Sequence, residues 1–181
     1  MSPGTPRITP GSWREVGPVV AGFAKIAGRV TGTEPPAIFL TLGRNRGLFW
    51  GWLHFAGRLM PGGRLPRRET ELVILRVATL AGSDYEFSHH ARLGRRAGIG
   101  PAELERVVAG PEAEGWTPRE RLLLEVTDEL HHERDLSDAT WARLRQDLDE
   151  RTCIEVLLLV GHYQMLAQTL GTLRVQPDRD R

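Results

Sequence analysis

Residues 67–90 read RRETELVILRVATLAGSDYEFSHH, and this stretch decides the fold. Its first part, residues 67–80, carries apolar side chains at helical spacing and predicts a strong helix with a wide apolar face. Gly82 can end that helix. Ser83 then fits an N-cap, and Glu86 three residues later completes the pattern of a capping box. The stretch therefore predicts two helices joined by a short turn.

The rest of the chain repeats this helical pattern, and no segment alternates with a period of two. The sequence predicts a compact all-α domain of about seven to eight helices over residues 13–175. Residues 1–12 and 176–181 are expected to be tails, the first one loose. The further helices are expected over residues 13–30, 37–60 with interruptions at Gly43 and Gly47, 101–109, 118–132, from Ser137 or Asp138 onward, and 151–170.

Composition and charge exclude several classes of function. The 181 residues include 24 basic and 23 acidic side chains, which gives a net charge of +1. This charge gives no reason to expect binding to nucleic acid or to an anionic membrane surface. The uncharged stretch 156–173 contains His162 and Gln164 and predicts a buried helix, not a membrane span. The N-terminus has no apolar core of a signal peptide, so we expect a cytoplasmic protein.

The single cysteine, Cys153, limits the redox and metal chemistry. It excludes an intramolecular disulfide, a Cys-x-x-Cys redox pair and any zinc site built from several cysteines.

Proton-transfer residues are densest in the stretch that decides the fold. Glu86 and His90 are four residues apart and can hydrogen-bond along one helix, which would fix the tautomer of the imidazole. An antiparallel return of the second helix would bring Glu71 opposite both residues. His89 points about 100° away from His90, so we expect one of the two to line a pocket and the other to be structural.

Residues 67–76 together with 83–90 resemble the carboxymuconolactone decarboxylase family, within the alkylhydroperoxidase D-like superfamily. The family motif is a glutamate followed, twelve residues later, by Cys-x-x-Cys-x-x-x-His. Here Glu71 occupies the glutamate position, Ser83 and Glu86 replace the two cysteines, and His90 matches the histidine. The resemblance extends over about residues 35–175 and includes the last helix.

The resemblance implies the alkylhydroperoxidase D-like fold and one of two chemistries. The peroxidase branch needs a thiolate and a resolving thiol, which Ser83 and Glu86 cannot supply. The decarboxylase branch is implied to work without thiol, metal or organic cofactor. We therefore expect a cofactor-independent lyase that acts on a small carboxylated lactone or a related enolisable carboxylic acid.

Site roles follow from the same resemblance and from acid–base chemistry. The expected catalytic residues are His90 as proton donor, Glu86 as the group that orients it, and Glu71 as holder of a second proton or a water. Ser83, His89 and His162 are expected to contact substrate, although His162 also fits a core histidine. The resemblance further implies a homo-oligomer, such as a trimer or hexamer, and no metal site.

Three alternatives remain open from the sequence. The same His and Glu residues suit a lactone hydrolase, isomerase or cyclase, and a non-catalytic binding member would keep the fold with a blocked pocket. A di-metal carboxylate bundle would use Glu-x-x-His twice, at residues 86–89 and 129–132, with Glu71 and Glu155 as further ligands. Arg44 and Arg46 are candidates for binding a substrate carboxylate.

Overall fold

The computed structural model describes residues 4–181, which form ten helices and no strand. The all-α prediction is confirmed, and the predicted helix count is slightly low. Residues 1–3 of the predicted tail lie outside the described residues. In chain order the helices are α1 (Trp13–Val16), α2 (Pro18–Thr31), α3 (Ala37–Leu42), α4 (Arg46–Leu59), α5 (Arg67–Leu80), α6 (Asp84–Arg96), α7 (Pro101–Ala109), α8 (Pro118–His132), α9 (Asp138–Asp147) and α10 (Glu150–Leu173).

The additional helices arise where two predicted segments are divided. Gly17 has a φ of 86°, a conformation that favours glycine, and Pro18 then occupies the first turn of α2. Gly43 ends α3 at a tight contact, since a Cβ there would lie 2.5 Å from the carbonyl oxygen of Phe39. These local breaks separate α1 from α2 and α3 from α4.

The described chain divides into two compact units, and one of them spans residues 57–167. Its centre is α5, in which every residue from 70 to 78 is buried, and α5 packs against α6, α7 and α8. The predicted extent of a single domain, residues 13–175, stays a prediction. The apolar core around α5 consists of Leu72, Leu75, Ala91, Ile99, Val107, Trp116 and Leu124.

Buried charge pairs orient α5 within this unit. The guanidinium of Arg76 bonds both carboxylate oxygens of Asp128 on α8, at 2.6 and 2.7 Å, and also donates to the carbonyl oxygens of Val107 and Val108. Such a two-pronged pair adds geometric specificity to the apolar packing. It contributes to the orientation that keeps the opposite side of α5, including Glu71, directed toward α6.

The second unit comprises the chain through residue 56 together with residues 168–181. Its core is aromatic: Phe49 is buried, and the rings of Phe39 and Trp52 lie 6.4 and 5.9 Å from it. Trp50 and Phe55 are 41% and 39% exposed. Phe39, Phe49 and Trp52 thus contribute to this core, whereas Trp50 and Phe55 lie partly at the surface.

Among the described helices, α10 is long and apolar enough to cross a membrane by length and composition. Half of its most apolar window is buried inside the protein, as in the core helix of a soluble protein. One such helix is weak evidence for a membrane span.

Candidate functional site

The centre of the site is a buried pair formed between α5 and α6. Oε2 of Glu71 lies 2.8 Å from Nδ1 of His90, and both side chains are almost completely buried. The short turn between the two helices returns α6 alongside α5, as predicted, and this return places Glu71 opposite His90.

The protonation state of His90 follows from its surroundings. Burial lowers the pKa of His90, and the charge and hydrogen bond of Glu71 oppose this effect only in part. The imidazole is therefore neutral at neutral pH, donating from Nδ1 to the Glu71 carboxylate. A neutral imidazole that donates from Nδ1 keeps Nε2 as a proton acceptor.

Arg67 belongs to the site, although sequence reasoning did not select it. Its Nη2 lies 2.6 Å from Oε1 of Glu71, one helical turn along α5. The Arg67 side chain is 38% exposed while that of Glu71 is fully buried, so Arg67 links the buried carboxylate to solvent. The i,i+4 spacing of Arg67 and Glu71 was the signal in the sequence that could have identified it.

Arg44 and Arg46, the arginines selected from the sequence, have other partners. Nη1 of Arg44 lies 2.8 Å from the Glu15 carboxylate, and Nη2 of Arg46 donates to the Glu15 carbonyl oxygen at 3.4 Å. Both contacts lie within the other compact unit. The Glu15 contacts explain these two arginines without a substrate.

Glu86 is a buried carboxyl group close to the pair. Burial raises its pKa to about 7, and the Ser83 hydroxyl offsets only part of this rise. The Ser83 hydroxyl is near, but neither carboxyl oxygen has a contact of hydrogen-bond geometry with a described residue. Glu86 therefore keeps its proton to a higher pH than an ordinary carboxyl group does.

Two local predictions about Glu86 are wrong. The expected hydrogen bond between Glu86 and His90 is not formed, because Nδ1 of His90 bonds Glu71 on the neighbouring helix instead. Ser83 does precede α6, but its side chain makes no capping hydrogen bond, so the capping box is absent. Glu86 instead points into the protein interior, where it is 2% exposed.

An aromatic residue from α10 shields the pair from solvent. The Tyr163 ring meets the His90 ring edge-on at 5.0 Å, and its hydroxyl donates to Sδ of Met60 at 3.8 Å. Burial, together with Glu71 and Glu86, raises the pKa of Tyr163, which keeps the phenol neutral.

The other two predicted histidines occupy different positions around the pair. His162 is buried, and burial together with the nearby His90 lowers its pKa to about 4. His89 is half-buried and stacks parallel to Tyr85 at 6.3 Å. Of the adjacent pair, His90 is thus the residue directed at Glu71.

The alternative of a di-metal centre finds no support in the geometry. Within residues 4–181, no group of three or more His, Cys, Asp or Glu side chains is arranged to hold a metal ion. Glu129 instead accepts from the backbone of Ser137, and Glu155 accepts from the backbone of Arg64 and Leu65. Both carboxylates are thus engaged by backbone amides.

The one thiol lies away from the pair. Cys153 is fully buried on α10, with the carbonyl oxygens of Leu144 and Leu148 as its neighbours. Ser83 and Glu86, at the positions of the two motif cysteines, contain no sulfur.

Comparison with known sequences gives one family match. Residues 46–129 match the sequence model of the carboxymuconolactone decarboxylase family. This region is a carboxymuconolactone decarboxylase family segment. It contains Glu71, Ser83, Glu86 and His90, whereas His162 lies beyond it. No curated protein sequence matches the chain.

Solved structures share the fold of this chain. An uncharacterized peroxidase-related protein from Silicibacter sp. TM1040 superposes with a TM-score of 0.83 at 17% identity, covering 98% of this chain and 94% of the other. The alkylhydroperoxidase AhpD core protein from Ralstonia eutropha JMP134 gives 0.81 at 17% identity, with 96% and 94% covered. The debrominase Bmp8 gives 0.79 at 16% identity, with 94% and 91% covered. The alkylhydroperoxidase D-like fold is thereby confirmed.

Proposed function

We propose that the protein is a cytoplasmic, cofactor-independent enzyme of the decarboxylase type. Its substrate would be a small carboxylated lactone or a related enolisable carboxylic acid. The observation that supports this proposal is the buried, thiol-free arrangement in which Glu71 bonds His90 beside the protonatable Glu86. Acid–base catalysis needs groups whose pKa lies near the operating pH, and Glu86 meets this condition.

The proposed reaction begins with loss of carbon dioxide from the substrate carboxylate. The electron pair of the broken C–C bond passes into a conjugated carbonyl group and forms an enolate. The carbon that carried the lost carboxylate then takes a proton, and the enolate returns to a carbonyl. A substrate with its own conjugated carbonyl supplies this electron sink, so the protein contributes positioning, charge stabilisation and the proton.

The proposal reverses the roles expected from the sequence. Glu86 is the proton donor, because its raised pKa keeps a proton available near pH 7. His90 is neutral and is oriented by Glu71, so its Nε2 relays the replacement proton to Glu86 after each turnover. Ser83, His89 and His162 remain proposed substrate contacts.

Two further observations support parts of the proposal. The debrominase Bmp8, which shares the fold, has been solved with 2,3,4-tribromopyrrole, a small planar ring, and a ring of similar size is proposed here. The exposed side of α10 presents Ile154, Leu158 and Met165 at coiled-coil-like spacing, which supports a homo-oligomer such as a trimer or hexamer. Thiol peroxidase activity is not expected, since Cys153 is remote from the pair.

Purified protein assayed with a panel of carboxylated lactones tests the proposal. Release of carbon dioxide is followed beside lactone opening, in wild type and in His90→Gln. We expect His90→Gln to lower the rate by at least about 100-fold while circular dichroism shows an unchanged fold. His132→Gln, at the exposed end of α8, is the matched control and should keep wild-type turnover.

Two outcomes would contradict the proposal. Lactone opening without carbon dioxide release would favour a hydrolase with the same residues. Wild-type turnover in His90→Gln would remove the Glu71–His90 pair from the reaction.

A further inference from the structure

A small cavity borders the site at Arg67. Its volume is about 40 Å³, and it opens beside the segment that joins α4 to α5. Such a space holds one or two waters or a group of that size, but not a ring. The lining residues are Leu59, Met60, Pro61, Gly63, Leu65, Arg67 and Thr70.

Arg67 is the only charged side chain in this lining. Its Nη2 pairs with Glu71, and among residues 4–181 it forms an ion pair with no other acid. A guanidinium carries five N–H donors in a planar fork, so the remaining donors can bind a second carboxylate while the contact with Glu71 persists.

Met60 separates the cavity from the buried histidine. It lines the cavity, and its sulfur accepts the hydrogen bond from the Tyr163 hydroxyl, whose ring covers His90. Methionine is unbranched and flexible, so this wall can shift with a small rearrangement. An anion held at Arg67 would therefore lie beside the residue that bonds Glu71, and Glu71 in turn bonds His90.

We propose that the cavity is a carboxylate-binding subsite and that Arg67 is the residue that binds the anion. The occupant is a carboxylate that stays in the product. A fixed cation beside the leaving carboxylate would stabilise the ground state more than the transition state. The assignment of this carboxylate to a substrate rests on the proposed function, whereas the binding of a carboxylate at Arg67 does not.

Acetate titration followed by methyl NMR tests the subsite without any turnover. The chain has three methionines, and Met60 lines the cavity while Met165 is 48% exposed on α10. Protein labelled with ¹³C at the methionine methyl groups is titrated with sodium acetate against sodium chloride at equal ionic strength. The Met60 signal is assigned with Met60→Leu, and Met165 serves as the internal reference.

We expect acetate, but not chloride, to shift the Met60 methyl signal in a saturable way. Arg67→Gln should weaken acetate binding at least tenfold, and Arg67→Lys should weaken it several-fold because it keeps the charge and loses the fork. Arg95→Gln, at an exposed position on α6, is the matched control and should bind as wild type does.

An unshifted Met60 signal in the wild type would overturn the subsite. Wild-type affinity for acetate in both Arg67 variants would also overturn it. If Arg67→Gln does not fold, the acetate affinity of Arg67→Lys decides by itself. Neither result would affect the conclusion drawn from the carbon dioxide assay. Likewise, a protein that releases no carbon dioxide could still bind acetate at Arg67.

Discussion

Replacing Glu86 by Gln should change how the stability of the protein depends on pH. Burial raises the pKa of Glu86 from 4.5 to about 7 in the folded protein, while the unfolded chain keeps the ordinary value. The folded state therefore binds this proton more tightly. The stability it supplies is fully present below about pH 4.5 and is lost as pH rises toward about 7.

The magnitude follows from the two pKa values. A gap between 4.5 and about 7 corresponds to roughly 3 kcal/mol of unfolding free energy, at 1.36 kcal/mol per pKa unit. Gln has nearly the same shape and stays neutral, so Glu86→Gln should not suffer this loss. Wild type has already lost a small part of this free energy at pH 5, so the stability of the variant relative to wild type should increase by about 2.5 kcal/mol between pH 5 and pH 8.

Urea unfolding of both proteins at pH 5 and pH 8 measures this difference. The titration of His162 is common to both proteins and cancels in the comparison. Glu114→Gln, at an exposed position, should show the same stability difference from wild type at both pH values. The stability difference between Glu86→Gln and wild type should therefore depend on pH. If it changes by less than about 0.5 kcal/mol between the two pH values, Glu86 is not a buried carboxyl group with a raised pKa.

Other perturbations probe the remaining features of the molecule. Burial lowers the pKa of His162 to about 4, so wild type should lose roughly 3 kcal/mol as pH falls from 6.5 to 4, and urea unfolding of His162→Gln should lack this loss. Asp128→Asn removes the charged partner of buried Arg76 and should cost about 3–5 kcal/mol in denaturant unfolding; a loss below 1 kcal/mol would contradict the importance of this pair. Cys153→Ala should keep wild-type carbon dioxide release, because the thiol lies outside the site, and an inactive but folded variant would disprove that.

The sequence predicted the helices that carry the site better than the contacts between their side chains. Helical spacing over residues 67–80 and the turn at Gly82 were sufficient to predict two adjacent helices. The prediction failed where a choice between partners was needed: Glu86 was paired with His90 because the two share a helix face. A helix permits an i,i+4 contact but does not require it, and Glu71 on the next helix bonds His90 instead.

Taken by itself, the sequence determined that the chain is helical, that its motif has lost both thiols, and that Glu71, Glu86 and His90 lie on adjoining helices. Those properties depend on residue type and on spacing along one chain. Only the tertiary structure decided that Arg67 completes the pair, that Glu86 is buried without a partner, and that Tyr163 covers His90. Each of these depends on distances between helices and on exclusion of water, and both arise only when α5, α6 and α10 pack together.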